Sequence, residues 1–167
     1  MAVLATAAGV YCTRDGSRQD QRAWVHVDKH SLWSNGPVVV GLALSNTGKT
    51  PAFNVVSRMM VSVAPTPISP MPASAEAAKP IVLHPAQPFT MLSADLSLNA
   101  EQAAAFNSGQ TRIYVRTLIC YDDASGVRHW VTTCASHTVR QPIENFDYCE
   151  TGNAAGTDGF WHRTCWD

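Results

Sequence analysis

The chain has 167 residues, of which 46% are hydrophobic and only 15% are charged. Because the usual charged share is about 25%, this composition excludes an intrinsically disordered chain and indicates one folded domain. Twelve basic and thirteen acidic side chains leave a formal net charge of −1. Composition therefore gives no electrostatic case for nucleic acid as a partner.

The chain begins with an uncharged, alanine-rich run over residues 1–12, which Arg14, Arg18 and Arg22 follow. A spacing of four places the arginines on one face of a helix, so residues 1–21 are predicted to form a helical stub. The run is shorter than the roughly 20 residues that a membrane span needs. Two interpretations stay open: a short helix packed on the domain, or the last turns of a membrane anchor. Under the positive-inside rule the arginines mark the cytoplasmic side, whereas the cysteines favour a membrane-associated, periplasmic location.

After the stub, the hydrophobic pattern changes to the alternation that is typical of β-strands. Strands are predicted over residues 23–28, 37–45, 53–63 and 89–96. Residues 64–88, between the last two, contain seven of the ten prolines. Each proline lacks the N–H that a sheet ladder needs, so this segment is predicted to be a mobile irregular loop or an excursion at a sheet edge.

One internal helix is predicted over residues 98–108. Asn99 is a suitable N-cap and Gln102 follows three residues later, as in a capping box. Gly109 comes directly after the last turn and is typical of a helix end.

The clearest hairpin joins residues 111–121 to residues 127–137 through the turn sequence D-D-A-S-G. Strands separated by short turns, with one helix between them, predict an all-β fold: an antiparallel two-sheet sandwich of about seven strands. We expect the sandwich to cover residues 22–149 and residues 150–167 to form an aromatic C-terminal tail.

Residues 46–55 read N-T-G-K-T-P-A-F-N-V and carry the chemistry of a turn. The Asn46 side chain can bond the backbone two residues later, and Gly48 can adopt a positive φ. Pro51 fixes φ, and the small Ala52 permits a close approach of strands. The segment, called the corner below, is therefore predicted to connect the two sheets rather than to catalyse a reaction.

The sequence contains no phosphate-binding glycine loop, no G-x-S-x-G and no H-E-x-x-H motif. Ser125, His129 and Asp123 are near one another in the chain and are candidates for the catalytic residues of a serine hydrolase. Asp122 and Asp123 offer oxygen ligands for Ca²⁺, but the loop lacks the ligand number of an EF-hand. A hairpin turn is the favoured role for these residues, and no other cofactor is expected.

The chain contains five cysteines, an odd number, so at least one has no partner within the monomer. Cys134 is near the end of the second hairpin strand, and the chain then turns back towards Cys149. We predict a disulfide between these two, and closing a loop of about 15 residues contributes roughly 3 kcal/mol. Cys149–Cys165 is the alternative pair, and Cys120, inside the partner strand, is expected to be a buried thiol.

Several segments resemble, in the same order, a broad group of small bacterial proteins of uncharacterised function. They are R-A-W-V at residues 22–25, the corner, residues 98–109, I-C-Y-D at residues 119–122, and Cys134. The resemblance covers residues 22–149 and implies a membrane helix followed by an immunoglobulin-like sandwich. The corner is also similar to the strand-turn-strand connection of bacterial immunoglobulin-like adhesion modules, whereas residues 156–167 depart from the pattern.

Two classes of function fit these features. The expected one is a non-enzymatic interaction module, tethered to a membrane through its N-terminal segment, that binds a protein or itself rather than a small molecule. The alternative is a small ester or lactone hydrolase, or a metal-dependent enzyme, built on the sandwich. Converging polar groups in a pocket favour an enzyme, and an open edge strand favours a module.

Overall fold

The computed structural model describes residues 22–34, 38–67, 79–92, 96–142 and 144–157. The predicted helical stub, residues 1–21, lies outside these ranges. In the described residues the chain forms β1 (Val25–Ser34), β2 (Val38–Asn46), β3 (Ala52–Ala64), β4 (Ile81–Leu83), β5 (Phe89–Leu92), α1 (Ala100–Asn107), β6 (Arg112–Asp122), β7 (Arg128–His137), β8 (Asp147–Tyr148) and β9 (Ala154–Thr157). No helix in this part of the chain has the length and apolar character to cross a bilayer.

The strands form two antiparallel sheets, which confirms the predicted all-β sandwich. One sheet has the order β1-β2-β5, and the other has the order β4-β3-β6-β7-β8, with β9 also paired to β7. Nine strands are present in the described residues rather than about seven. The additional strands are short, and a run of two to four residues is too brief for alternation to reveal it.

The core lies between the two sheets. Val27 and Leu44 of the first sheet pack in one cluster with Val55 and Ile119 of the second. All four side chains are at most 5% exposed. Burial of this kind contributes about 1.5–3 kcal/mol per side chain, so this cluster stabilises the packing of the two sheets.

The helix α1 confirms the capping-box prediction. The Asn99 side chain accepts a hydrogen bond from the Gln102 N–H, and the Gln102 side chain accepts one from the Asn99 N–H. Gly109 ends the helix with a φ of +76°, a conformation that glycine adopts without a steric penalty. Phe106 holds the helix on the core, because it packs against a second hydrophobic cluster formed by Leu32, Val40, Ile113 and Val115.

Residues 68–78 of the predicted proline-rich loop lie outside the described residues. In the described part of that segment beyond β3, one strand is present, β4, between Pro80 and Pro85. It pairs with β3 at the edge of the sheet. An edge position leaves one side of a strand without ladder partners, which is where neighbouring prolines are tolerated. The excursion at a sheet edge is therefore confirmed for residues 81–83.

The sandwich continues beyond residue 149, where the sequence placed its end. The strand β9 pairs with β7, and a Cβ added to Gly156 would lie 2.7 Å from the Trp130 ring. This close approach shows that the segment packs tightly on the sheet. Residues 158–167, the remainder of the predicted tail, lie outside the described residues.

The disulfide Cys134–Cys149 is present, with its Cα atoms 5.3 Å apart, as predicted. For Cys120, the predicted burial is confirmed and the predicted free thiol is wrong. Its side chain is buried, at 1% exposure, but it is disulfide-bonded rather than a thiol.

His30 is a buried histidine on the inner face of β1, in ring contact with Phe146 and Tyr148. Its Nε2 is buried and has no hydrogen-bond partner. Burial disfavours the charged ring and lowers the pKa of His30 from 6.5 to about 4. The folded protein therefore holds this ring neutral across the range in which the unfolded chain protonates it.

We expect acid to destabilise the fold through His30. As the pH falls from 6.5 towards 4, the His30 ring is protonated in the unfolded state but stays neutral in the folded state. Protonation therefore stabilises the unfolded state, and the free energy of unfolding decreases by up to about 3 kcal/mol. Urea unfolding of the wild type and His30→Leu, measured from pH 7 to pH 4.5, isolates this effect. A difference between the two proteins that does not change with pH would contradict the assignment.

Candidate functional site

The three candidate hydrolase residues meet at the β6–β7 turn, around the carboxylate of Asp123. One oxygen, Oδ1, accepts hydrogen bonds from the Ser125 N–H at 2.9 Å, the Ser125 hydroxyl at 2.6 Å and the Val127 N–H at 3.0 Å. The other, Oδ2, lies 2.8 Å from the His129 Nε2. The turn closes with Gly126 at a φ of +79°.

This order differs from that of a catalytic triad, in which the histidine lies between the serine and the acid. Here Asp123 lies in the middle, and the Ser125 hydroxyl donates to it instead of to a base. His129 is only 5% exposed and stacks on Tyr121 at 5.0 Å between ring centroids. The geometry thus indicates that the hydrogen bonds of Asp123 with Ser125 and His129 stabilise the hairpin turn.

The charge state of Asp123 agrees with this role. Burial by itself raises the pKa of the Asp123 carboxyl, but the hydrogen bonds from Ser125, His129 and Val127 outweigh burial and leave the pKa below its ordinary value. The carboxylate is therefore ionised at neutral pH and fully engaged by donors.

Asp122, the other residue considered for Ca²⁺, points to different partners. Its Oδ1 accepts from the Arg128 Nε at 3.0 Å, and its Oδ2 accepts from the Asn54 side chain at 2.9 Å. The carboxylates of Asp122 and Asp123 are thus each committed to protein donors. Among the described residues, no group of three or more His, Cys, Asp or Glu side chains is placed to hold a metal ion.

The corner is organised by Asn46, whose side chain is fully buried. Its Oδ1 accepts from the Trp24 N–H at 3.0 Å and the Gly48 N–H at 2.9 Å. Its Nδ2 donates to the carbonyls of Thr50 at 2.8 Å and Leu83 at 3.0 Å. The predicted Asx-turn is therefore present, and the same side chain also ties β4 to the start of β1.

The prediction that Gly48 adopts a positive φ is wrong, because its φ is not among the positive ones. A Cβ at this position would lie 2.2 Å from the Arg22 carbonyl oxygen. Glycine is thus needed for the close approach of two backbone segments rather than for an unusual backbone conformation.

A pocket of about 460 Å³ opens beside the corner. Its walls come from β1, the end of β2, the corner and the β4–β5 turn: Asp28, Ser45, Asn46, Thr47, Gly48, Pro85, Ala86 and Pro88. Ala86 has a φ of +58°, uncommon for a residue with a side chain. Its N–H donates to the Asn46 carbonyl at 3.0 Å, and this bond holds the turn against the corner.

Next to this pocket, the Ser45 hydroxyl lies 3.2 Å from the His26 Nε2. An Asp28 carboxylate oxygen lies 4.0 Å from the same nitrogen. A triad requires the acid on the other ring nitrogen, where it orients the imidazole. The pair is thus a serine–histidine contact without the orienting acid of a hydrolase. Sequence reasoning did not find it, because the contact depends on the register of β1 against β2.

Two exposed aromatic side chains lie at the two ends of β1, one directly before the strand and one within it. Trp24 is 47% exposed and Trp33 is 43% exposed. The Arg22 guanidinium lies 3.7 Å from the centroid of the Trp24 ring, a cation–π contact. Exposed tryptophans are uncommon on free surfaces and enriched at protein interfaces, so this strand is the strongest candidate for a functional surface.

Comparison with known proteins adds no assignment: no family model, no curated protein and no solved structure matches this chain.

Proposed function

We propose that the domain is a non-enzymatic interaction module that binds protein through the edge of β1. The observation that carries the proposal is the pair of half-exposed tryptophans, Trp24 directly before β1 and Trp33 near its end, on a strand that is at a sheet edge among the described residues. Tryptophan in a buried contact gives a large binding energy, and an edge strand offers backbone groups to an added strand.

The proposed module is immunoglobulin-like and is tethered to a bacterial membrane through residues 1–21, facing the periplasm. The resemblance of residues 22–149 to membrane-anchored bacterial sandwiches supports the tether. The Cys134–Cys149 disulfide and the bonded state of Cys120 support an oxidising compartment.

A hydrolase remains the second candidate, because Ser45 and His26 are in contact beside the pocket. A panel of ester and lactone substrates separates the two functions. We expect the wild type, Ser45→Ala and Ser125→Ala to hydrolyse every substrate at the same background rate. Turnover by the wild type that Ser45→Ala abolishes, while Ser125→Ala retains it, would overturn the proposal in favour of the hydrolase.

A further inference from the structure

The strand β1 has one open side among the described residues, where it pairs only with β2. The backbone of Trp24 faces β2, since its N–H bonds the Asn46 side chain and its carbonyl accepts from the Thr47 N–H. Backbone groups alternate in direction along a strand. Those of Val25 and Val27 are therefore directed away from β2. The Val25 N–H is hydrogen-bonded to the Tyr121 hydroxyl, so Val27 is the residue in this half of the strand whose backbone groups can pair with another strand.

Residues 24–33, W-V-H-V-D-K-H-S-L-W, form an inverted repeat about the bond between Asp28 and Lys29. Reading outwards from that bond, equivalent positions hold opposite charges at the centre, two buried residues of different chemistry, two polar residues, two aliphatic residues and two tryptophans. The pairs are Asp28 with Lys29, Val27 with His30, His26 with Ser31, Val25 with Leu32, and Trp24 with Trp33.

In a regular strand such pairs would lie on opposite faces, because each joins an even position to an odd one. The register of β1 against β2 shifts between Val27 and Lys29, where a β-bulge inserts one residue. The bulge reverses the alternation, so both halves of the strand present matching faces. Burial shows the result: the inner positions are Val25, Val27, His30 and Leu32, and the outer ends are Trp24 and Trp33.

We propose that the partner of this module is a second copy of the chain, bound through antiparallel pairing of β1 with β1 about a two-fold axis. The inference rests on the proposed interaction function and names its partner. Pairing in the register of the inverted repeat would join the two three-stranded sheets into one sheet of six, β5-β2-β1-β1-β2-β5. An isologous contact of this kind closes on itself and covers the open β1 edge of each of the two copies.

The charges at the centre favour this register. Two-fold pairing places Asp28 directly opposite Lys29 of the second copy, and Lys29 opposite Asp28 of that copy. Within one chain, the Lys29 Nζ lies 3.7 Å from Glu144, but both side chains are more than half exposed. Such surface pairs are weak, so Lys29 can exchange this contact for the one across the axis. At the ends, each Trp24 comes opposite a Trp33, a favourable cross-strand aromatic pair.

Charge reversal tests the register directly in the full chain. Sedimentation equilibrium should show a wild-type dimer, and Asp28→Lys and Lys29→Asp should each weaken it by about tenfold or more, because like charges then oppose each other twice. The double exchange should restore the dimer. An equimolar mixture of the two single variants should form a heterodimer, since each then presents the charges that the other needs.

The control variant Glu101→Lys replaces an acidic residue by lysine, as Asp28→Lys does, but on the helix instead of the edge strand, so it should leave the dimer intact. Circular dichroism checks that every variant is folded. A wild type that stays monomeric up to about 1 mM, a dimer indifferent to Asp28→Lys, or single variants that fail to associate when mixed would each overturn the inference. Substrate turnover lost in Ser45→Ala would overturn the proposed function, whereas a monomer without turnover would overturn only this choice of partner.

Discussion

Replacing Asn46 with alanine should lower the free energy of unfolding by roughly 3–5 kcal/mol, the largest loss that we expect from one side chain. The substitution removes four hydrogen bonds at once and leaves the N–H groups of Trp24 and Gly48 and the carbonyls of Thr50 and Leu83 without this partner. Each buried polar group left without a partner costs about 1–3 kcal/mol. Urea unfolding followed by circular dichroism measures the difference.

Asn107→Ala is the matched control, because Asn107 is exposed in the last turn of α1. Alanine is the better helix former there, so the change in stability should stay within about 0.5 kcal/mol. Asn46→Asp keeps both acceptor contacts but turns a second carboxylate oxygen towards two carbonyls, so it too should destabilise. A loss below about 1 kcal/mol for Asn46→Ala would show that the corner does not depend on this side chain.

Gly48→Ala should destabilise the fold by about 3 kcal/mol, at the upper end of what overpacking usually costs. The added methyl group would lie 2.2 Å from the Arg22 carbonyl oxygen and 2.7 Å from the Trp24 nitrogen. Both are backbone atoms and cannot rotate away, so β1 has to separate from the corner. That movement stretches the 2.9 Å bond from the Thr47 N–H to the Trp24 carbonyl.

Gly126→Ala separates this steric cost from a conformational one. Gly126 has a φ of +79°, but a Cβ there meets no atom within 4 Å. Its substitution should cost about 1–2 kcal/mol, from the left-handed backbone alone. Equal losses for Gly48→Ala and Gly126→Ala, in thermal or urea unfolding, would be inconsistent with the close approach at Gly48.

The sequence by itself determined the elements whose causes are local. The capping box of Asn99 and Gln102 lies within one helical turn, and the β6–β7 hairpin depends on alternation and on a turn that Gly126 and Asp123 complete. The Cys134–Cys149 bond spans 15 residues, and the short path between the two cysteines follows from the end of one strand. In each case the interacting groups are close along the chain, so their spacing carries the information.

Tertiary structure decided the contacts between distant segments. The sequence brought Ser125, His129 and Asp123 together, but only the folded turn shows that the aspartate lies between the other two. The Ser45–His26 contact depends on the register of β1 against β2, and the Leu83 carbonyl reaches Asn46 across 37 positions of the chain. The register of β1 against β2, with its shift between Val27 and Lys29, joins segments that are apart in the chain, and the alternation within one strand does not specify it.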